Sequence, residues 1–253
     1  MAYRHVVALG SSFAAGPGIP PVVDATVGRS GSNYAHLAAE ALGARLTDLS
    51  ASGATTSTVV DQPQRVARKT YPPQLTGVPE DADLVTVTVG GNDLGYLPTV
   101  LRLAWANHFR ARWYTRPLGN SLARRSVPVL DPDRAVDGLQ RVVEAVRTRA
   151  PGARVVLVDY LTILEEKTPA PPFDAAQQKA LRALGRRVNG AFAVAAQATG
   201  ADLIQASVLS TGHGVGTAEP WVNGFGRGAS AFHPNAAGMR AIADELLLTL
   251  AAT

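Results

Sequence analysis

The chain has 253 residues, of which 46% are hydrophobic and 17% charged, which is enough apolar material for one large globular domain and excludes a disordered chain. The absence of cysteine excludes disulfide bonds, thiolate metal sites and a cysteine nucleophile. The net charge is only +4, and no run of about 18 apolar residues predicts a membrane-spanning segment. We therefore expect a single domain over residues 1–253 with no integral membrane segment.

The N-terminal sequence lacks the long apolar stretch and the cleavage site of a secretory signal. Together with the lack of cysteine, this predicts a cytoplasmic location, or a secreted protein if a signal has been removed from the chain.

Short apolar runs alternate with helical patterns along the chain. The runs predict five buried parallel strands, at residues 6–9, 45–49, 84–89, 154–158 and 201–204. The helical patterns cover residues 33–42 (with Ser32 as N-cap and Gly43 as C-cap), 134–149, 174–199 and 235–251. This alternation predicts an α/β fold, a three-layer α/β/α sandwich around a central, mostly parallel five-stranded sheet. In such sheets ligands bind beyond the carboxyl ends of the strands.

The first strand leads into "GSSFAAGPG", which places Ser11 and Ser12 at the carboxyl edge of the sheet. The spacing of the glycines and the lack of a following lysine argue against a phosphate loop, and the dinucleotide fingerprint is absent. Two interpretations remain at this point. One serine is a nucleophile beside a helix N-terminus, or both serines only cap the helix.

A serine nucleophile needs a base, and the chain offers five histidines: His5, His36, His108, His213 and His233. His233 is the strongest candidate because Pro234 and the start of the last helix fix its backbone. His213, in a glycine-rich loop, is the second candidate.

Donors for an oxyanion are predicted after two other strands. Gly53 in "SASG" can present its backbone N–H, and Asn92 in "GGND" can present its side-chain amide. The alternative for Asn92 is an Asx turn at the end of the strand.

The blocks "GSSF", "SASG", "GGND" and "FHPN", in this order, resemble the SGNH superfamily, the GDSL-type esterases and lipases. The resemblance runs from the first strand to the last helix, and "RSGSNY" and "PWVNG" look like the actinobacterial branch. It implies a flavodoxin-like SGNH hydrolase fold with Ser12 as nucleophile, His233 as base, and an oxyanion hole formed by Ser12, Gly53 and Asn92. "GSSFA" is also similar to the nucleophile elbow of α/β-hydrolases, but that elbow follows a later strand.

The chain departs from the family pattern at two positions. Ser11 stands where G-D-S-L has its aspartate, and Ser230 stands where D-x-x-H has the acid that orients the histidine. We therefore predict a Ser–His dyad in which the backbone carbonyl of Ser230 orients the imidazole. A distant aspartate that enters the site is the alternative.

Residues 94–130 follow the Asn92 block and predict an inserted lid or pocket wall. Its aromatic and aliphatic residues, with Trp221, are candidates for an acyl pocket, the alternative being that they are ordinary core. The candidates in the insertion are Leu94, Tyr96, Leu97, Leu101, Leu103, Trp105, Phe109, Trp113 and Tyr114. Of these we predict Leu94, Tyr96, Trp105 and Phe109, together with Trp221, as the pocket residues. The densest cluster of arginines also lies here, at Arg110, Arg112, Arg116, Arg124 and Arg125, without any nucleic-acid-binding motif. Attraction of an anionic substrate or lipid, or a solvated face, explains such a cluster better.

The predicted function is hydrolysis of carboxylic esters, of lipid-like or medium-chain acyl type, through an acyl-enzyme on Ser12. No metal or organic cofactor is expected. The expected partner is a small-molecule ester, with no nucleic acid, and the sequence predicts no oligomeric state. The alternatives are an acyltransferase with the same acyl-serine chemistry and an inactive ligand-binding protein.

Overall fold

The computed structural model of the protein describes residues 3–125 and 131–252. Its strands are β1 (His5–Gly10), β2 (Val22–Asp24), β3 (Arg29–Ser30), β4 (Arg45–Asp48), β5 (Gln64–Val66), β6 (Lys69–Tyr71), β7 (Leu84–Thr88), β8 (Arg154–Val158) and β9 (Asp202–Ile204). Its α-helices are α1 (Ser12–Ala15), α2 (Tyr34–Leu42), α3 (Thr56–Val60), α4 (Tyr96–Arg110), α5 (Arg116–Arg124), α6 (Pro132–Arg149), α7 (Ala175–Thr199), α8 (Ala206–Leu209) and α9 (Ala236–Ala251).

A five-stranded sheet lies at the centre, in the order β4-β1-β7-β8-β9, and every pairing in it is parallel. The three middle strands are almost wholly buried, as strands covered on both faces must be, and this explains why their sequences are mainly apolar. Helices α2 and α9 pack together as one outer layer, and α3, α6 and α7 form the other. The predicted α/β fold and its five strands are confirmed.

The N-terminus of α2 differs from the prediction by one residue. Asn33, not Ser32, is the N-cap, and its side-chain oxygen accepts a hydrogen bond from the backbone N–H of His36 at 3.1 Å. The Asn33 amide also donates to Asp48 at 2.8 Å, so the cap ties the helix to the end of β4. Ser32 instead donates its backbone N–H to the hydroxyl of Ser30.

Two small antiparallel hairpins, β2–β3 and β5–β6, were not predicted because their strands have only two or three residues and no apolar alternation. The first hairpin is fixed to the edge of the sheet by Arg29, whose guanidinium donates twice to the carbonyl of Ser50, at 3.0 and 2.7 Å. The hairpin therefore lies beside the loop that follows β4.

The segment 94–130 forms α4 and α5, which pack against each other, and α4 also contacts α7. Residues 126–130 of the predicted insertion lie outside the described residues. Among the described helices, none is long and apolar enough to cross a membrane.

Candidate active site

Ser12 is the first residue of α1, immediately beyond β1. The backbone N–H of Ser11 donates to Thr88 of the neighbouring strand at 2.8 Å. The buried side chain of Gln74 bonds both backbone groups of Gly10, at 2.8 and 2.9 Å. These contacts fix the chain just before Ser12 at the carboxyl edge of the sheet.

The two serines have different surroundings. Ser11 is the N-cap residue of α1, but its side chain makes no cap bond and lies 3.0 Å from the Tyr160 hydroxyl. The interpretation that both serines cap the helix is therefore wrong for the side chain of Ser11. Ser12 lines an open cleft of about 330 Å³.

The same cleft is lined by all four residues predicted to form the site: Ser12, Gly53, Asn92 and His233. Ser12 lies at the start of α1, and the other three lie in separate turns beyond the strands. His213, the second candidate for the base, lies elsewhere, with its ring stacked on Trp221 at 3.9 Å and its Nδ1 at 2.8 Å from the carbonyl of Glu219.

The backbone of His233 is held by the "PWVNG" segment. The N–H of Asn223 donates to the His233 carbonyl at 2.9 Å, and a β-bridge joins Val222 to Pro234. The preceding residue, Phe232, is fully buried with φ of 60°, a left-handed conformation that is costly for a bulky side chain. This strained conformation lies directly before the predicted base.

The imidazole of His233 is neutral at physiological pH. Burial lowers its pKa to about 4, and the contacts with the Ala231 and Ser230 carbonyls oppose this shift only partly. Nδ1 lies 3.0 Å from the carbonyl oxygen of Ala231. Because a carbonyl only accepts, Nδ1 carries the proton and Nε2 keeps its lone pair, as a general base requires.

The orienting carbonyl differs from the prediction. Nδ1 bonds Ala231, whereas the Ser230 carbonyl accepts from the backbone N–H of His233 at 3.1 Å and from the Asn223 amide at 3.2 Å. The carbonyl two residues upstream therefore makes the hydrogen bond to Nδ1, and the Ser230 carbonyl is only a second, weaker contact of the imidazole.

No aspartate takes the place of the missing acid among the residues that the structure describes. The buried carboxylate of Asp93 accepts hydrogen bonds from the backbone and hydroxyl of Thr56, and that of Asp159 does the same with Ser207. Burial raises the pKa of both, to about 6 for Asp159. Neither contacts His233, so only backbone oxygens orient the imidazole in the described chain.

Three residues that line the cleft, Ser12, Gly53 and Asn92, carry N–H groups available for hydrogen bonding. Gly53 has φ of 84°, which glycine adopts without cost, and its backbone is exposed there. The N–H groups of Ser12 and Gly53 have no hydrogen-bond partner within residues 3–125 and 131–252. The Asn92 amide donates to the carbonyl of Ala54 at 2.8 Å, which leaves its second N–H for the cleft. This contact crosses between loops and is not an Asx turn.

Tyr160, two residues beyond β8, contacts two of the site loops from the core, and the sequence did not reveal it. Its buried hydroxyl lies 3.0 Å from the Ser11 hydroxyl and accepts from the N–H of Gly91 at 3.1 Å. A Cβ on Gly91 would lie only 2.6 Å from the tyrosine ring, so this close approach requires glycine. The ring also packs against Phe13 at 4.6 Å. Tyr160 thus joins the Ser12 loop to the Asn92 loop.

None of the five predicted pocket residues lines the cleft. Leu94 and Tyr96 are buried in the core, Trp105 and Phe109 lie further along α4, and Trp221 covers His213. The insertion does supply one wall, through Pro98 and through Leu97 and Leu101, which belong to the wider set of candidates in the insertion. The cleft is also lined by residues of the unpredicted β2–β3 hairpin: Ala25, Thr26 and Gly28.

A family model described as the GDSL-like lipase/acylhydrolase family matches residues 8–241, the range that contains all of these loops. The chain belongs to this family. As a GDSL-type enzyme it is a carboxylic ester hydrolase of the lipase and esterase kind.

Relatives of this GDSL hydrolase come from Streptomyces. "Lipase 2" of Streptomyces coelicolor is 33% identical over 264 aligned residues, which cover 95% of this chain and 84% of the relative. The crystal structure of an extracellular lipase from Streptomyces rimosus is similar with a TM-score of 0.75 and 25% identity, and covers 97% of this chain and 99% of that one. Phospholipase A1 from Streptomyces albidoflavus, at 22% identity and a TM-score of 0.75, shares the fold over 98% of this chain and 99% of its own.

Proposed function

We propose that this GDSL hydrolase cleaves carboxylic esters with a Ser12–His233 dyad and an acyl-enzyme intermediate. The observation that carries the proposal is the cleft in which Ser12, a neutral His233 and three N–H donors meet. A nucleophile, a base with a free lone pair and donors for an oxyanion are the groups that acyl transfer needs.

In the first half-reaction, Oγ of Ser12 attacks the ester carbonyl carbon while Nε2 of His233 takes the hydroxyl proton. The carbonyl oxygen becomes an oxyanion, which accepts hydrogen bonds from the N–H groups of Ser12 and Gly53 and from the Asn92 amide. Collapse of this intermediate breaks the bond to the alcohol, which leaves with the proton from His233.

In the second half-reaction, a water molecule gives a proton to Nε2 and attacks the acyl carbon. Collapse then returns the proton to Oγ of Ser12 and releases the carboxylic acid. The imidazolium is transient in both steps. The Ala231 carbonyl, 3.0 Å from Nδ1, stabilises it less than a carboxylate would, because a carbonyl has no net charge.

The substrate class that we propose is an ester with a medium or longer acyl chain. Leu97, Pro98 and Leu101 give the cleft an apolar wall, which suits methylene groups better than a sugar. The relative from Streptomyces coelicolor is named a lipase, which supports the same class. We propose that the described part of the insertion, residues 94–125, contributes the pocket wall of a single domain.

We propose a cytoplasmic location, on the basis of the absence of cysteine. The similar structure from Streptomyces rimosus is described as extracellular, which argues the other way. Fractionation of the source cells, followed by detection of the protein in cytosol and medium, decides between them.

The test of the function is hydrolysis of p-nitrophenyl esters from acetyl to palmitoyl, with and without added alcohols. We expect free acid as the main product and a maximum rate at medium or longer chains. Transfer of most of the acyl group to the alcohol would indicate an acyltransferase. No turnover at any chain length would support a ligand-binding protein and contradict the proposal.

A further inference from the structure

The net positive charge of this protein comes from one segment. Residues 94–130 contain six arginines and no acidic residue, while the rest of the chain has 18 basic and 20 acidic residues. The net positive charge therefore comes from α4, α5 and their surroundings. We call residues 96–125, which comprise α4, the connecting turn and α5, the α4–α5 arm.

The arginines of the arm divide into two groups. Arg102 donates to the carbonyls of Leu122 and Ala123, and Arg110 donates to Asn120, so these two hold α5 against α4. The other four are exposed or nearly so, and none forms an ion pair with a carboxylate in the described part of the chain: Arg112, Arg116, Arg124 and Arg125. Their charge is uncompensated and faces solvent.

The arm also exposes large aromatic side chains. Trp113 is 82% exposed, Tyr114 62% and Trp105 43%, and the described residues contain no other large aromatic side chain that is as exposed. Trp113 and Tyr114 contact each other edge to face beside Arg112. Helix α5 is strongly amphipathic, polar on average, and has arginine at both ends. Aromatic rings, arginines and an amphipathic helix together are typical of segments that lie in a lipid–water interface.

An apolar ridge connects this surface to the cleft. Leu97 and Leu101 line the cleft, and Trp105 and Phe109 follow at four-residue intervals on the same side of α4. The rings of Trp105 and Phe109 are stacked, and Phe225 packs against Trp105 at 5.1 Å. The ridge spans about 18 Å from Leu97 to Phe109. An acyl chain that leaves a lipid surface at the arm meets apolar side chains along this path.

We propose that the α4–α5 arm docks the enzyme on an anionic lipid surface, with Trp113 and Tyr114 at the interface and Arg112 and Arg116 on the lipid headgroups. The choice of an ester-bearing lipid surface rests on the proposed function. Charge complementarity favours an anionic over a neutral surface. A second copy of this chain would bring two uncompensated arginine clusters together. RNA fits the charge, but not the apolar ridge that leads to an ester-binding cleft.

The experiment measures binding in a Ser12→Ala background, so that the lipid is not hydrolysed. The probes are vesicles of phosphatidylcholine alone and of phosphatidylcholine with about one-third phosphatidylglycerol. We expect at least about tenfold tighter binding to the anionic vesicles, and loss of most of this preference at high salt. Arg112→Gln with Arg116→Gln should weaken anionic binding about 30-fold, and Trp113→Ala with Tyr114→Ala about tenfold.

The matched control removes two exposed arginines outside the arm, by Arg187→Gln with Arg240→Gln, and is expected to change binding less than about threefold. Thermal melting shows that each variant is folded. Equal losses in the arm and control variants, or no preference for anionic vesicles, would overturn the proposal. So would tighter binding of single-stranded RNA than of vesicles, or a dimer that the Trp113 and Tyr114 changes dissociate.

The wild-type rate on a water-soluble ester separates this proposal from the proposed function. Vesicle binding without ester hydrolysis would contradict the function and leave the docking surface standing. Ester hydrolysis without vesicle binding would contradict the docking surface and leave the function standing.

Discussion

The cleft and the α4–α5 arm differ in charge and in exposure to solvent. In the cleft, His233 is buried and neutral, and the donors at Ser12 and Gly53 are backbone groups fixed by the fold. In the arm, arginines and aromatic rings face solvent with no carboxylate beside them among the described residues. Proton transfer needs fixed geometry and little water, whereas attraction of an anionic surface needs exposed charge. Changes in the cleft should therefore affect kcat, and changes in the arm should affect binding to lipid.

The largest effect in the cleft after loss of the nucleophile is expected from His233→Ala. Without a base, kcat on p-nitrophenyl butyrate should fall about 10⁴-fold or more. His213→Ala is the control, since that ring stacks on Trp221 outside the cleft, and it should retain activity within about twofold. Comparable losses in both variants would contradict the assignment of the base.

Asn92→Ala should lower kcat by about 10²–10³-fold with little change in KM, because a donor to the oxyanion acts mainly in the transition state. Asn107→Ala is a matched control, since Asn107 also holds a backbone carbonyl, that of Pro172, but lies outside the cleft. Steady-state kinetics on both variants checks this. A rise in KM at constant kcat for Asn92→Ala would assign Asn92 to substrate binding instead.

Tyr160→Phe should lower kcat about tenfold at constant KM, since the hydroxyl positions the Ser12 and Asn92 loops without touching the substrate. Adding Ser11→Ala should cost little more, because both changes remove the same contact. The control is Tyr34→Phe. This change also deletes a buried hydroxyl, which lies on α2, 3.0 Å from the hydroxyl of Thr88 in β7. If both tyrosine variants lose stability equally and neither changes kcat, Tyr160 has a structural role only.

The smallest effect on activity is expected from a change of pH near neutrality. Since the pKa of His233 is lowered to about 4, the base stays deprotonated, and kcat/KM should be nearly constant between about pH 5.5 and pH 8. Activity should fall only as the pH drops through about 4, where Nε2 becomes protonated. A pH–rate profile with its acid limb near 6.5, the ordinary pKa of histidine, would show that the imidazole is more hydrated than the structure indicates.

Sequence sufficed for the parts of the molecule that short-range rules control. The mainly apolar runs at residues 84–89 and 154–158 contain β7 and β8. The four site residues lie in blocks that resemble a known family. Their convergence in one cleft follows from parallel topology, since every carboxyl end of such a sheet lies at one edge.

The other features of the site depend on the orientation of side chains and carbonyl groups, which the local sequence does not determine. The phase of α4 decides that Leu97 and Leu101, rather than Trp105, line the cleft. The conformation of the turn before His233 decides that Nδ1 hydrogen-bonds the Ala231 carbonyl rather than that of Ser230. Tyr160 acts across long sequence separations, 149 residues from Ser11, and no motif marks it.

The most direct test of the central claim compares Ser12→Ala with Ser11→Ala in the hydrolysis of p-nitrophenyl butyrate. The two serines are adjacent and both buried, but only Ser12 lines the cleft. We predict a loss of about 10⁴-fold or more for Ser12→Ala, and at most about tenfold for Ser11→Ala, which removes only the contact with Tyr160. Activity that survives Ser12→Ala would contradict the proposed acyl-enzyme mechanism.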